Sequence, residues 1–92
     1  MRFEWDPKKA ATNARKHGVT FGEARAIFED PLVLVSENVG TAGGETRFIA
    51  IGMSDRRQTL VVVFTETSES IRLISARLAT RAERRTYEEE NP

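Results

Sequence analysis

Cysteine is absent from this chain, which excludes disulfides, a thiol nucleophile and thiolate metal sites. Histidine occurs once, as His17; that leaves little for a structural zinc and excludes a ribonuclease mechanism shared between two histidines. Aromatic residues are few, with five Phe, one Trp and one Tyr, too few for a broad base-stacking platform. There is no H-x-x-x-H or H-E-x-x-H pair and no glycine motif that would cradle a phosphate. Net charge is also missing: 14 basic residues balance 14 acidic ones, which argues against gripping nucleic acid by bulk electrostatics. The longest apolar run, Leu60-Val61-Val62-Val63-Phe64, is far short of a membrane span, and "MRFEWDPKK" lacks the apolar stretch of a secretory signal. The expectation is a soluble, cytoplasmic protein whose chemistry needs no cofactor, metal or membrane.

What is present is one domain's worth of chain, residues 1–92, long enough for a single core. The balanced charge is segregated: residues 1–18 carry five basic and two acidic groups, residues 19–46 one and five, residues 47–87 eight and four, and Glu88, Glu89 and Glu90 close the series. A basic surface assembled from the first and third blocks would hold a phosphate chain; equally, the blocks would pair with one another in the fold.

Helix signals dominate the first third. Asp6-Pro7 is an N-cap followed by proline, the alanines of Lys8 to His17 favour helix, and Gly18 is placed to close it. Ahead of it, "RFEW" reads as a short strand or extended arm. Thr20 and Glu23 open a second helix over about Phe21 to Glu29, with a stripe of Phe21, Ala24, Ile27 and Phe28, stopped by Asp30-Pro31. The pattern then changes to period two. Residues 32–36, 45–53, 59–66 and 70–77 read as strands, and the short turns "SDRRQ" and "TSE" make neighbours antiparallel. Leu60 to Phe64, apolar throughout, is expected to be covered on both faces. "NVGTAGG" (38–44) reads as a mobile connection. Thr80 and Glu83 form another capping box, opening a helix over about 81–90 whose only apolar or aromatic residues are Ala82 and Tyr87. The fold class is α+β: two N-terminal helices, a four-stranded antiparallel sheet to which the N-terminal strand or arm either adds or does not, and a C-terminal helix.

Candidate chemistry is spread along the chain. His17 sits in the last turn of the first helix, where the helix dipole favours its charged form; it serves as an acid or phosphate donor, or simply caps the helix end. Lys16 beside it reads on its own as a surface lysine. Glu45 and Arg47, two apart on a strand, point to one face as a base and an oxyanion stabiliser, or form an exposed ion pair. Arg72 and Arg77 differ by an odd number, so a regular strand sends them to opposite faces, and both serve one site only if the chain bends. Arg77 is suited equally to phosphate binding and to tethering helix to sheet through Glu83. Arg81, Arg84 and Arg85 form a solvated or partner-facing surface.

Three stretches, "FEWDPKKAATNARKHGVTFGEA", "ETRFIAIG" and "RLISARLATRAERRTYEE", together resemble the BrnT family of toxins from type II toxin–antitoxin modules, in order and over almost the whole chain. The spacings WD-x-x-K-x-x-x-N-x-x-KHG and ISAR-x-A-x-x-x-E-x-x-x-Y carry the likeness. It implies a RelE-like architecture and a metal-independent ribonuclease that cuts RNA and arrests translation. It also implies a BrnA-like, DNA-binding antitoxin, so that contact with DNA is only indirect. By motif position it puts function on Lys16, His17, Glu45, Arg47, Arg77 and Tyr87, with Arg72 preceding the last motif on its strand. His17, Glu45, Arg47, Arg72 and Arg77 are then the catalytic set, Lys16 and Tyr87 contact RNA, and Arg81, Arg84 and Arg85 meet the antitoxin. The loop "GTAGG" before Glu45 departs from relatives that often carry more polar residues there. The rival reading is a non-catalytic binding module acting as a corepressor subunit beside a DNA-binding partner.

Overall fold

The computed structural model describes residues 1–38 and 46–91. Strand β1 (Arg2–Glu4) leads into helix α1 (Pro7–His17); helix α2 (Phe21–Arg25) tightens into a 3-10 turn (Ala26–Glu29). Strands β2 (Leu34–Asn38), β3 (Arg47–Met53), β4 (Thr59–Glu66) and β5 (Ser70–Leu78) follow, then helix α3 (Arg81–Glu90). No described helix is long and apolar enough to cross a membrane.

The helix ends follow local chemistry. The Asp6 carboxylate accepts the Lys8 amide at 2.8 Å, and Gly18, at φ 70°, adopts the left-handed conformation while its N–H reaches the Ala14 carbonyl at 2.9 Å. Thr20 caps Glu23, and Thr80 with Glu83 forms the reciprocal capping box of α3.

The sheet has five strands in the order β1-β5-β4-β3-β2. Four are antiparallel neighbours as expected, while β1 joins as a parallel edge strand on β5, pairing Arg2 to Glu4 with Ser70 to Arg72. The long connection from β1 through the helices and the other strands to β5 leaves room for parallel addition. Two boundaries move: the second helix keeps α-helical form only to Arg25, and the strand expected at 32–36 runs from Leu34 to Asn38. The 3-10 turn comes close to β3. A Cβ on Gly52 would lie 3.0 Å from Ile27 Cβ and 3.1 Å from Val33 Cγ2, so glycine is what lets the two layers meet. The connection at 38–44 lies, beyond Asn38, outside the described residues.

The core lies between one sheet face and the α1–α2 layer. Ala50, Leu60, Val62, Phe64, Ile71, Leu73 and Ala76 meet Val19, Phe21, Ala24 and Ile27. Phe64 is flanked by Phe28 (centroids 5.0 Å apart, edge-on) and Phe48 (5.5 Å, stacked), arrangements that add about 0.5–1.5 kcal/mol per pair to area burial. On the opposite face Val61 is buried and Val63 half-buried, so the central strand is covered unevenly.

One irregularity decides the geometry of the functional face. Along β4 and β5, Val63 pairs with Ser75 but Phe64 pairs with Leu73, leaving Ile74 as an extra residue in a β-bulge. Arg72 then pairs with Thr65 and Arg77 with Val61. Both partners point away from the core, so both arginines stand on one face.

Candidate active site

Beyond β1, the outer edge of β5 is closed by a side chain. Buried Asn13 of α1 accepts the Ala76 N–H on Oδ1 (3.0 Å) and donates from Nδ2 to the Ala76 carbonyl (2.8 Å) and the Val19 carbonyl (3.0 Å). The carboxamide stands where a neighbouring strand would be, holding α1 against β5; losing it would leave buried backbone groups unpaired at about 1–3 kcal/mol each.

This docking creates a groove of about 320 Å³ lined by Lys8, Lys9, Thr12, Asn13, Lys16 and His17 from α1 and by Ile74 and Ser75 from β5. Its charged and titratable lining is wholly cationic or imidazole. His17 is half-buried and Lys16 exposed.

The second cluster lies on the sheet face away from the core. Arg47 precedes Phe48, the partner of Phe64, and so falls beside Thr65; Arg72 pairs with Thr65 from the other side. The two arginines are therefore one intervening strand apart, about 10 Å between backbones. Arg47 is half-buried, and its Nε is buried without a hydrogen-bond partner. Such a donor is a standing cost that an incoming acceptor would relieve. Arg72 is half-exposed and lies 3.9 Å from Glu4, a loose contact of little energetic weight.

Ser75 joins the two clusters. It lines the α1 groove and, paired with Val63 between Arg72 and Arg77, shares their face. The groove and the arginine face are thus contiguous.

Two residues are drawn into structural work. Arg77 holds Glu83 in a two-pronged contact, Nη1 to Oε1 at 2.7 Å and Nη2 to Oε2 at 2.9 Å, and also donates to the Leu78 carbonyl. The guanidinium, with the Thr80 amide assisting, holds the Glu83 carboxyl down at about 2. Of the two roles open to Arg77, the helix tether is the one made by these bonds, with 41% of its side chain still accessible. Tyr87, expected to contact RNA, is instead only 6% exposed, and its hydroxyl donates to Asp30 Oδ2 at 2.5 Å. Burial first, and then the Asp30 carboxylate, push the phenol up to about 12. For Asp30 burial opposes ionisation, but bonds from Tyr87, the Met53 amide and the Leu32 amide outweigh it and lower its pKa. The reason for this placement is compositional: α3 has one large ring to bury, and that ring becomes its anchor.

Arg81 and Arg85 are exposed, and Arg84 donates to the Ala79 carbonyl at 3.4 Å. Glu45 lies outside the described residues. Sequence reasoning assigned no role to Lys9, Thr12, Asn13 or Ser75. The first three, with Lys16, recur at helical spacing and form a polar stripe, a signal that was there to be read; nothing local marks Ser75.

The fold and its cation-lined groove define a small α+β protein equipped to hold a polyanion at a sheet edge. A family model described as "Ribonuclease toxin, BrnT, of type II toxin-antitoxin system" matches residues 5–83. Among solved structures, the ribonuclease toxin BrnT of Brucella abortus is similar, at 33% identity with a TM-score of 0.65, covering 88% of this chain and 99% of that one. Comparison with curated proteins finds no match. The chain belongs to the BrnT family of ribonuclease toxins from type II toxin–antitoxin systems.

Proposed function

We propose that this chain cleaves RNA by attack of a ribose 2′-hydroxyl on the adjacent phosphate, without a metal ion, and thereby inhibits translation until a BrnA-like antitoxin silences it. The observation that carries the reading is the continuity, through Ser75, of the groove holding His17 and Lys16 with the face holding Arg72 and Arg47. An RNA strand crossing this junction meets cations along its backbone.

In this mechanism Glu45 takes the 2′-hydroxyl proton, the 2′-oxygen bonds to phosphorus, and the bond to the 5′-oxygen breaks. His17 protonates the leaving oxygen or donates to the phosphate. The products are a 2′,3′-cyclic phosphate and a 5′-hydroxyl. Arg47 and Arg72 stabilise the charge that develops on the phosphorane. Arg47 stands half-buried on this face and brings its positive charge toward the strand. Arg77 positions α3 through Glu83 and adds the remainder of its charge to the same face; Lys16 steers the strand. Exposed Arg81, Arg84 and Arg85 present a basic patch to the antitoxin.

The test is incubation of purified, partner-free protein with mixed RNA in the presence of chelator, with end-group analysis of the products. Cyclic phosphate ends that disappear in Glu45→Gln and His17→Ala support the mechanism. Intact RNA would leave the chain a binding module, and cleavage only after metal is restored would overturn the acid–base scheme.

A further inference from the structure

At the sheet edge opposite β1, Leu34 to Glu37 of strand β2 have no further strand on their outer side among the described residues. Proteins commonly blunt such an edge with lysine, proline, a bulge or a covering element. From Leu34 to Asn38 there is no lysine or proline, the register with β3 is continuous, and Val35 is 53% exposed. On the face away from the core, Leu34 and Ser36 join Ile51, Thr86 and Glu90 in a groove of about 280 Å³ beside α3, which Val35, directed to the other face, borders from the strand.

The rim of this edge is acidic. Glu37 lies on the strand, and Glu88, Glu89 and Glu90 end α3, all exposed. The ion pairs among the described residues, Arg72–Glu4 and Arg77–Glu83, include none of them. The last turn of α3 holds no basic residue, although the negative end of a helix dipole favours cations. Local electrostatics there are unfavourable in the isolated chain and improve when positive charge arrives.

We infer that the outer edge of β2 accepts an extended segment of a partner protein, alternately apolar and basic, as a sixth strand. Backbone pairing supplies the main contact, alternate side chains reach the α3 groove on one face and Val35 on the other, and lysines or arginines meet Glu37 and the α3 glutamates. A second copy of this chain is a poor occupant, since it brings the same glutamates into opposition. A type II system supplies a suitable partner in its antitoxin. That assignment rests on family membership, whereas the surface does not.

The experiment titrates the whole protein against a short labelled peptide alternating valine and lysine, with a valine–glutamate peptide as control, read by fluorescence anisotropy and by amide hydrogen exchange. The lysine peptide should bind at least about tenfold tighter than the glutamate peptide, more weakly as salt rises, and should slow exchange in β2. Val35→Lys and Glu90→Lys, both surface changes that leave the melting temperature unmoved, should each weaken it by about tenfold. Equal affinity for both peptides, no binding, or protection confined to the α1 groove would overturn the inference. So would a concentration-dependent dimer that Val35→Lys dissolves, which would make a second copy the occupant. RNA cleavage is not read, so failure here leaves the nuclease mechanism standing.

Discussion

Arg72 and Arg77, five positions apart on β5, stand on the same face of the sheet because Ile74 is a supernumerary residue in the ladder. Strand alternation would otherwise separate them. Two cations spaced along one strand become one surface only through this bulge.

Deleting Ile74 should therefore be tolerated. Without it β5 alternates regularly, with Leu73 and Ala76 still toward the core and Arg72 and Arg77 still outward. The expected loss is on the order of 1–2 kcal/mol of packing. Deleting Val61, in the regular part of β4 away from the shift, should instead turn half that strand inside out and prevent folding. Far-UV spectra and melting curves of the two deletions decide the matter, and equal damage would refute the bulge account.

Glu83→Gln should destabilise the protein by about 1 kcal/mol, a figure reduced from that of a buried pair because solvent screens both groups. The Glu83 carboxyl sits at about 2 against its ordinary 4.5, so the folded state holds the proton less readily than the unfolded one. The contribution is complete above about 4.5 and drains away as pH falls toward 2. Melting temperatures of the two proteins should converge over that interval; a constant gap would remove ionisation of Glu83 as the cause.

Tyr87→Phe keeps the ring and removes the bond to Asp30. A hydrogen bond to a charged group in this setting is worth about 2 kcal/mol, measurable by urea denaturation. The phenol is raised from 10.0 to about 12, so its contribution is present below about 10 and is lost as pH climbs to 12. Since the chain has a single tyrosine, phenolate absorbance reports this group alone. An ionisation midpoint near 10 in the folded protein would contradict the Asp30 contact.

Arg47→Met should separate stability from activity. Removing a buried, unpartnered Nε in favour of an apolar chain of similar length is expected to stabilise by about 1 kcal/mol. RNA cleavage should fall by a factor of about 10² to 10³, the usual loss for a preorganised charge-stabilising donor. Unchanged cleavage would take Arg47 out of the mechanism.

Much of the architecture was legible because its determinants are short-range. The caps at Asp6, Thr20 and Thr80 and the glycine closure at Gly18 each involve residues no more than four positions apart, and such patterns survive reading in one dimension. The four antiparallel strands were legible from period two and tight turns. The parallel placement of β1 was not, because nothing in "RFE" states which edge it will meet. In the site, His17 and Lys16 were visible as chemistry, yet the groove around them exists only because Asn13 reaches Ala76, 63 positions away. Arg77 was legible as either tether or phosphate ligand, and the choice awaited the position of Glu83. The burial of Tyr87 was not legible, because a polar-tipped ring looks the same in sequence whether its hydroxyl faces solvent or a buried carboxylate.

By itself, then, the sequence determined the class of the fold, the ends of its helices, the absence of thiol chemistry and the family to which the chain belongs, all of which follow from residue type and near-neighbour spacing. Tertiary structure alone decided that the arginines of β5 share a face, that one is spent on α3 while the other stays open, and that α1 walls a cationic groove. The physical reason is that facing and burial are set by register and packing between segments dozens of residues apart, and a bulge of one residue is enough to reverse them.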